Sequence, residues 1–175
     1  MLEDMIIGTV VDRAGESYYL EVNSSSRAQL PKLAFDGASK RNKPNLQLGA
    51  LVYCRVVLAN KELEPEVTCC SLGKKKDWVT REGVFGELLD GYLFDCSLAL
   101  CRQLLADNCL VLKLLGDKIG YECAIGMNGK VWVKANKTED TILIANAIQN
   151  SEFLTPDQVK AMVAKMLSTV NVSKK

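Results

Sequence analysis

The chain has 175 residues, 48% hydrophobic and 25% charged, which is enough apolar mass for packed cores and excludes wholesale disorder. Its net charge of +1 excludes a global basic field, so a nucleic-acid partner would have to be met by a local patch. The absence of histidine removes the commonest general base and the commonest metal ligand together.

The length suits one ordinary domain or two small ones. The start, Met1-Leu2-Glu3-Asp4, is acidic and lacks a signal-peptide core, and no apolar run approaches the roughly 18 residues of a membrane span. Seven cysteines occur without a C-x-x-C unit, mostly inside apolar runs. They read as small buried hydrophobes in a reducing, intracellular compartment, with no disulfide framework and no zinc site.

From about residue 5 to 70 the pattern is all-β. Met5–Val11 is a β-branched run. Ser17–Val22 alternates, Tyr18, Leu20 and Val22 on one face and Tyr19 and Glu21 on the other. Asp12–Glu16 between them reads as a hairpin loop. Ala28–Leu33 is a third strand, broken by Pro31 and so placed at an edge or bulge. Leu51–Leu58 and Glu66–Cys70 complete five short strands, the content of an OB-type barrel. Between the third and fourth strands runs a long polar excursion, Phe35–Asn45. Excursions of this length in a compact domain are usually functional.

Ser71–Thr80, with Gly73-Lys74-Lys75-Lys76, reads as a charged linker. Beyond it, Val84–Leu88 and Tyr92–Cys96 flank Asp90-Gly91, a hairpin signal. Ser97–Ala106 has helical spacing with Leu98, Cys101 and Leu105 on one stripe, and Cys109–Leu115 is a shorter helix. Tyr121–Ile125 and Val131–Lys134 are strands around Gly126-Met127-Asn128-Gly129. Asn136 is positioned to cap a core helix running to about Gln149, with Glu139 at its third position. Thr155-Pro156-Asp157-Gln158 opens the last helix with an N-cap, a proline at the first position and a polar residue at the third. The expected architecture is an all-β barrel over residues 4–72 followed by an α+β domain over 78–170, in the order ββαα-ββαα.

The loop Ala38–Pro44 is the strongest functional candidate. Lys40, Arg41 and Lys43 lie within four residues, Arg27 and Lys32 lie shortly upstream, and Ser39 and Asn42 add hydrogen-bonding groups. Phosphates need cations and polar donors along a groove, which OB-barrel loops supply. A solvated surface loop is the competing reading. Tyr19 points away from the core side and is a candidate stacking face for a base, whereas Phe35 reads as a core plug.

The tetrad Gly126–Gly129 has the two-glycine form of a KH phosphate clamp. Here it joins two strands, where Asn-Gly is the usual pair of a tight type I′ turn, so a structural turn is preferred. Trp132 follows on a strand and reads as a core or interface anchor. Glu62, Glu64 and Glu66 share one face of an extended segment, but no positioned base accompanies them and a solvated edge is the better reading. Lys74, Lys75 and Lys76 fit a linker and a backbone contact equally well. No cofactor and no metal are expected.

Several stretches together resemble one family across nearly the whole chain. They are Asp4-Met5-Ile6-Ile7-Gly8, the loop from Leu33 to Gly49, Ala59–Glu66, and Ile125-Gly126-Met127-Asn128-Gly129-Lys130-Val131-Trp132-Val133-Lys134. The family is the RNA exosome cap subunit called ribosomal RNA-processing protein forty, or exosome component three. The resemblance implies an S1-type OB barrel followed by a KH-like domain with a Gly-x-Asn-Gly loop. It also implies an N-terminal domain ahead of the barrel, and since the barrel here starts almost at Met1, a truncated chain is expected. Its implied role is a non-catalytic, RNA-binding cap subunit seated on RNase-PH-like ring subunits beside other cap proteins, guiding single-stranded RNA inward. The implied location is nucleus, nucleolus and cytoplasm, with no membrane. Gly126, Asn128, Gly129 and Trp132 carry the motif, and the tetrad is expected to help fix the KH-like domain against the barrel rather than to clamp RNA. A purely architectural subunit is the alternative function. A free-standing nuclease would need a catalytic set that the residues do not offer.

Overall fold

Alternation decides the first pair of strands. In the computed structural model, which describes residues 3–60, 62–71 and 84–172, Tyr18, Leu20 and Val22 are buried while Tyr19 and Glu21 stay half-exposed. β1 (Met5–Ala14) and β2 (Ser17–Glu21) pair antiparallel up to Ala14↔Ser17, with a bulge between Val10 and Asp12. The hairpin loop is therefore Gly15-Glu16 alone, not Asp12–Glu16. Polar residues at the solvent end need no buried face to keep the ladder going, and Gly15 supplies the positive φ (+55°) of a two-residue turn.

β3 (Ala28–Pro31) pairs with β2 and stops at Pro31, short of the expected Leu33, where proline ends the ladder. β4 (Leu51–Leu58) returns along β1, and β5 (Glu66–Thr68) pairs with β4 and, in parallel, with β3 through Gln29↔Glu66. With β1 paired to both β2 and β4, the five strands close into a barrel. Its core includes Val10, Tyr18, Leu20, Leu30, Phe35, Val52, Cys54 and Val67.

β6 (Gly86–Leu88) does not form the expected hairpin through Asp90-Gly91. It pairs with Leu51–Tyr53 of β4 and belongs to the barrel sheet. Asp90 does take a positive φ (+58°), but this turns the chain away from one sheet rather than back along it.

The second unit holds a three-stranded antiparallel sheet in the order β7 (Tyr92–Asp95), β9 (Lys130–Ala135), β8 (Tyr121–Ile125). The helices are α1 (Leu98–Leu105), α2 (Leu110–Gly116), α3 (Thr138–Asn150) and α4 (Pro156–Val172). The unit's order is thus βαα-ββαα. Phe94, Val131 and Val133 from the sheet meet Leu100, Cys101, Leu115, Ile144, Ile148 and Val163 from the helices.

Ser97 caps α1 by accepting from Leu100 N at 3.0 Å. The buried residues of α1 are Leu100, Cys101 and Leu104; of the expected stripe Cys101 is buried, Leu105 is half-buried and Leu98 is exposed. α3 begins one residue later than expected, with Lys137 at the cap and no side-chain cap bond. Thr141 does the joining instead: its Oγ1 accepts from Ala135 N and donates to Lys137 O, each at 3.1 Å. At α4, Gln158 Oε1 reaches back to Thr155 N at 3.0 Å, the capping relation expected there.

All seven cysteines carry free thiols. Cys54 and Cys69 lie in the barrel core, their sulfurs donating to Ile6 O and Tyr53 O. Burial pushes the Cys54 thiol up to about 12 and Cys69 well above its ordinary value, so both remain neutral packing groups.

Candidate nucleic-acid interface

The basic loop is built on anchored ends. Phe35 is a core plug, 4% exposed, bridged in parallel to Cys69, and its carbonyl accepts from Ala38 N at 3.0 Å. Asp36 is buried beside it, and its Oδ2 accepts from Ser71 N at 2.9 Å. At the far end the buried Tyr18 hydroxyl donates to Pro44 O at 2.5 Å and accepts from Leu46 N at 3.2 Å. Two bonds of this kind, each worth about 1 kcal/mol net, hold the returning strand of the loop to the barrel wall. Arg13 on β1 adds bonds to Asn45 Oδ1 and Leu46 O, both at 3.3 Å.

Between these anchors the main chain closes on itself. Ser39 N donates to Asn42 O at 2.9 Å, and Asn42 N donates to Ser39 O and to Ser39 Oγ, both at 3.1 Å. Ser39 therefore serves the loop's own geometry as an acceptor. This small ring holds Lys40 and Arg41 at its tip, where both are exposed. Lys43 is half-buried and bonds Glu16 Oε2 at 2.6 Å. Lys32 donates through Nζ to Gly15 O at 2.6 Å and lies 5.5 Å over the Tyr18 ring. The bond and charge of Lys43 hold the Glu16 carboxyl below its usual value, and Lys32 and Lys40 add to that pull. Lys32, Lys40 and Lys43 thus act on one carboxylate.

Arg27 is not part of this group. It stands at the other end of β3 from Lys32, roughly 16 Å away along an extended chain, and its guanidinium lies 3.7 Å from Asp12. Tyr19 lies on the outer face of the barrel, in register with Asp12 and Gln29. Lys74, Lys75 and Lys76 lie outside the described residues. Glu62 and Glu64 are exposed and Glu66 is half-buried at the start of β5. Arg13 and Glu16 are the residues that sequence reasoning missed. Each makes its contact with a partner about 30 residues away, and no local pattern marks it.

The tetrad Gly126–Gly129 forms a turn, Gly129 N donating to Gly126 O at 3.2 Å. It is not the expected type I′ pair: among Met127, Asn128 and Gly129 only Gly129 takes a positive φ (+83°). Four residues connect the strands, and the single left-handed residue among them is the closing glycine. By compactness the tetrad belongs with residues 1–89. Asn128 Nδ2 donates to Ile7 O at 2.8 Å and Val22 O at 3.1 Å, and Asn128 Oδ1 accepts from Ile7 N at 3.3 Å. The side-chain amide stands in for a strand neighbour at Ile7, two residues before β2 begins to pair at Thr9. Met127 N adds a bond to Met5 O at 2.7 Å. Trp132, on β9, is buried against Gly91, where a β-carbon would sit 2.2 Å from the indole.

Compared with known proteins, residues 1–79 match the family model of the exosome complex component RRP40 S1 domain, and residues 91–139 match a KH domain model. The exosome complex component RRP40 of Dictyostelium discoideum is 43% identical over 95% of this chain and 68% of its own length. Those of Mus musculus and Saccharomyces cerevisiae are 40% and 41% identical over 93% and 81% of this chain. The chain spans 58% of the length of each of these last two. A solved structure described as an exosome complex RNA-binding protein shares the fold, with a TM-score of 0.74 at 18% identity over 99% of this chain and 97% of that one. The S1 barrel, the KH match and the extent of these identities lead to one assignment: the chain belongs to the exosome complex component RRP40 family.

Proposed function

We propose that the chain is a non-catalytic RNA-binding subunit of an exosome cap, and that the barrel's basic loop contacts the backbone of single-stranded RNA on its way into the ring. The observation that carries this reading is the closed Ser39–Asn42 ring, which holds Lys40 and Arg41 clear of the barrel beside Lys43 and Lys32. A main chain already closed by hydrogen bonds spares the backbone part of the ordering cost when these cations meet phosphates, and the contact needs no base identity. Tyr19 offers an outward ring on which a base can stack. Asn128 is engaged with barrel backbone, so the tetrad is assigned a structural part rather than an RNA clamp. The subunit's partners would be RNase-PH-like ring proteins and other cap proteins, and its location nucleus, nucleolus and cytoplasm. Membership of the family is what supports these last assignments.

The test is single-stranded RNA binding by the chain at low and moderate salt, beside Lys40→Ala/Arg41→Ala/Lys43→Ala. Binding should weaken at least about tenfold in the variant. Its dependence on log salt should flatten by about 2, at roughly 0.7 for each phosphate that a cation no longer meets. Equal binding by both proteins would sink the reading.

A second reading has its own support. Leu33 and Leu48, near the two ends of the loop, are 45% and 60% exposed. Apolar side chains flanking a charged loop suit a protein neighbour, which would make the subunit architectural. In that case the triple variant loses assembly with ring subunits while RNA binding stays unchanged.

A further inference from the structure

Glu16 is an anion already seated among the cations assigned to RNA. The two-residue turn led by Gly15 puts it at the tip of the β1–β2 hairpin, and Lys43 meets it at 2.6 Å. Lys32 N donates to Glu16 O at 2.8 Å and Lys32 Nζ to Gly15 O, which holds the second lysine at the same turn. The Glu16 side chain is 75% exposed and that of Lys43 is 32% exposed. A pair so open to water is worth little to the fold and can be opened readily. Lys43 can exchange a carboxylate oxygen for a phosphodiester oxygen of the same charge, keeping one charge-assisted hydrogen bond throughout.

We propose that Glu16 occupies the position of an RNA backbone phosphate in the free protein, bound to Lys43, and is displaced when RNA arrives. The proposal rests on the reading of the basic loop as an RNA contact. Glu16 then sets the affinity from within the site. It keeps Lys43 oriented, masks part of the cluster's charge, and leaves Lys40 and Arg41 to make the first encounter. The hold on RNA is weaker than three or four free cations would give, which suits a surface over which a strand must slide.

The experiment compares wild type, Glu16→Gln, Lys43→Gln, the double variant and Glu64→Gln as a control for net charge, using a single-stranded oligoribonucleotide at several salt concentrations. Glu16→Gln should bind roughly three- to tenfold tighter at low salt, with a dependence on log salt steeper by about 0.7. That gain should vanish in the Lys43→Gln background, since the two residues act as a pair. Unchanged or weaker binding by Glu16→Gln overturns the proposal, as does an equal gain in Glu64→Gln, which would mean net charge alone. If the Lys40/Arg41/Lys43 alanine variant has meanwhile lost binding, the RNA reading survives that failure. If the alanine variant binds like wild type, both fall together.

Discussion

Ser39–Lys43 and Gly126–Gly129 are both short, polar, turn-forming stretches, and they differ in which atoms close them. In the first, main-chain groups of Ser39 and Asn42 bond one another, and the long side chains at the tip are released. In the second, the side-chain amide of Asn128 satisfies the backbone of Ile7 and Val22, and no comparable group projects from it. A polar residue is available to a ligand only when the fold does not need its polar atoms. That condition, rather than the residue type, separates a binding loop from a structural one here.

The sharpest way to break the comparison is Asn128→Ala. It strips partners from three backbone groups of the barrel, and stability should fall by about 2–4 kcal/mol, read from the urea midpoint. A loss well under 1 kcal/mol would mean that water replaces the amide and that the two loops do not differ in kind. Gly129→Ala should cost about 1–2 kcal/mol by the same measurement, since a side chain at φ +83° is strained. The basic loop should behave oppositely. Lys40→Ala/Arg41→Ala/Lys43→Ala is expected to shift stability by no more than about 0.5 kcal/mol while changing RNA affinity, and a melted barrel would move that loop into the structural class.

The smallest effect is electrostatic. The Glu16 carboxyl is held below its ordinary value of 4.5 by Lys43, so the contact contributes above that value and fades as pH falls through the lowered one. The difference in urea midpoint between wild type and Glu16→Gln should therefore shrink between pH 5 and about pH 3. A difference that grows on acidification would contradict the pairing.

What was legible in the sequence follows the range of the interaction. Tyr18, Leu20 and Val22 announce their buried face because a strand's period is local, and the barrel and the Thr155–Gln158 relation were readable for the same reason. Asp90-Gly91 misled because a turn signal says that the chain bends, not which strand it joins, and the partner of Gly86–Leu88 is more than 30 residues back at Leu51–Tyr53. In α1, Leu98 and Leu100 are equally apolar, and tertiary packing alone decides which is buried. Among the site residues, Lys40, Arg41 and Lys43 stood out as a local run. Arg27 belonged to that run by sequence distance but is paired with Asp12 instead. Glu16 and the use of the Asn128 amide depend on contacts 27 and 121 residues apart, beyond any local pattern.

The pairing of Gly86–Leu88 with β4 matters for how the molecule can be dissected. Leu51–Tyr53 has a neighbour on each flank, β1 on one side and β6 on the other. A fragment ending at residue 71 would keep all five barrel strands and bare the backbone of β4 along that stretch, beside the buried side chains of Val52 and Tyr53. An uncovered strand edge is a template for another chain. A fragment ending at residue 71 and one ending at residue 89 both lack the Asn128 amide at Ile7 and Val22, so the difference between them isolates β6, and the shorter should self-associate more strongly. The short sixth strand acts as a guard on a barrel that is already closed.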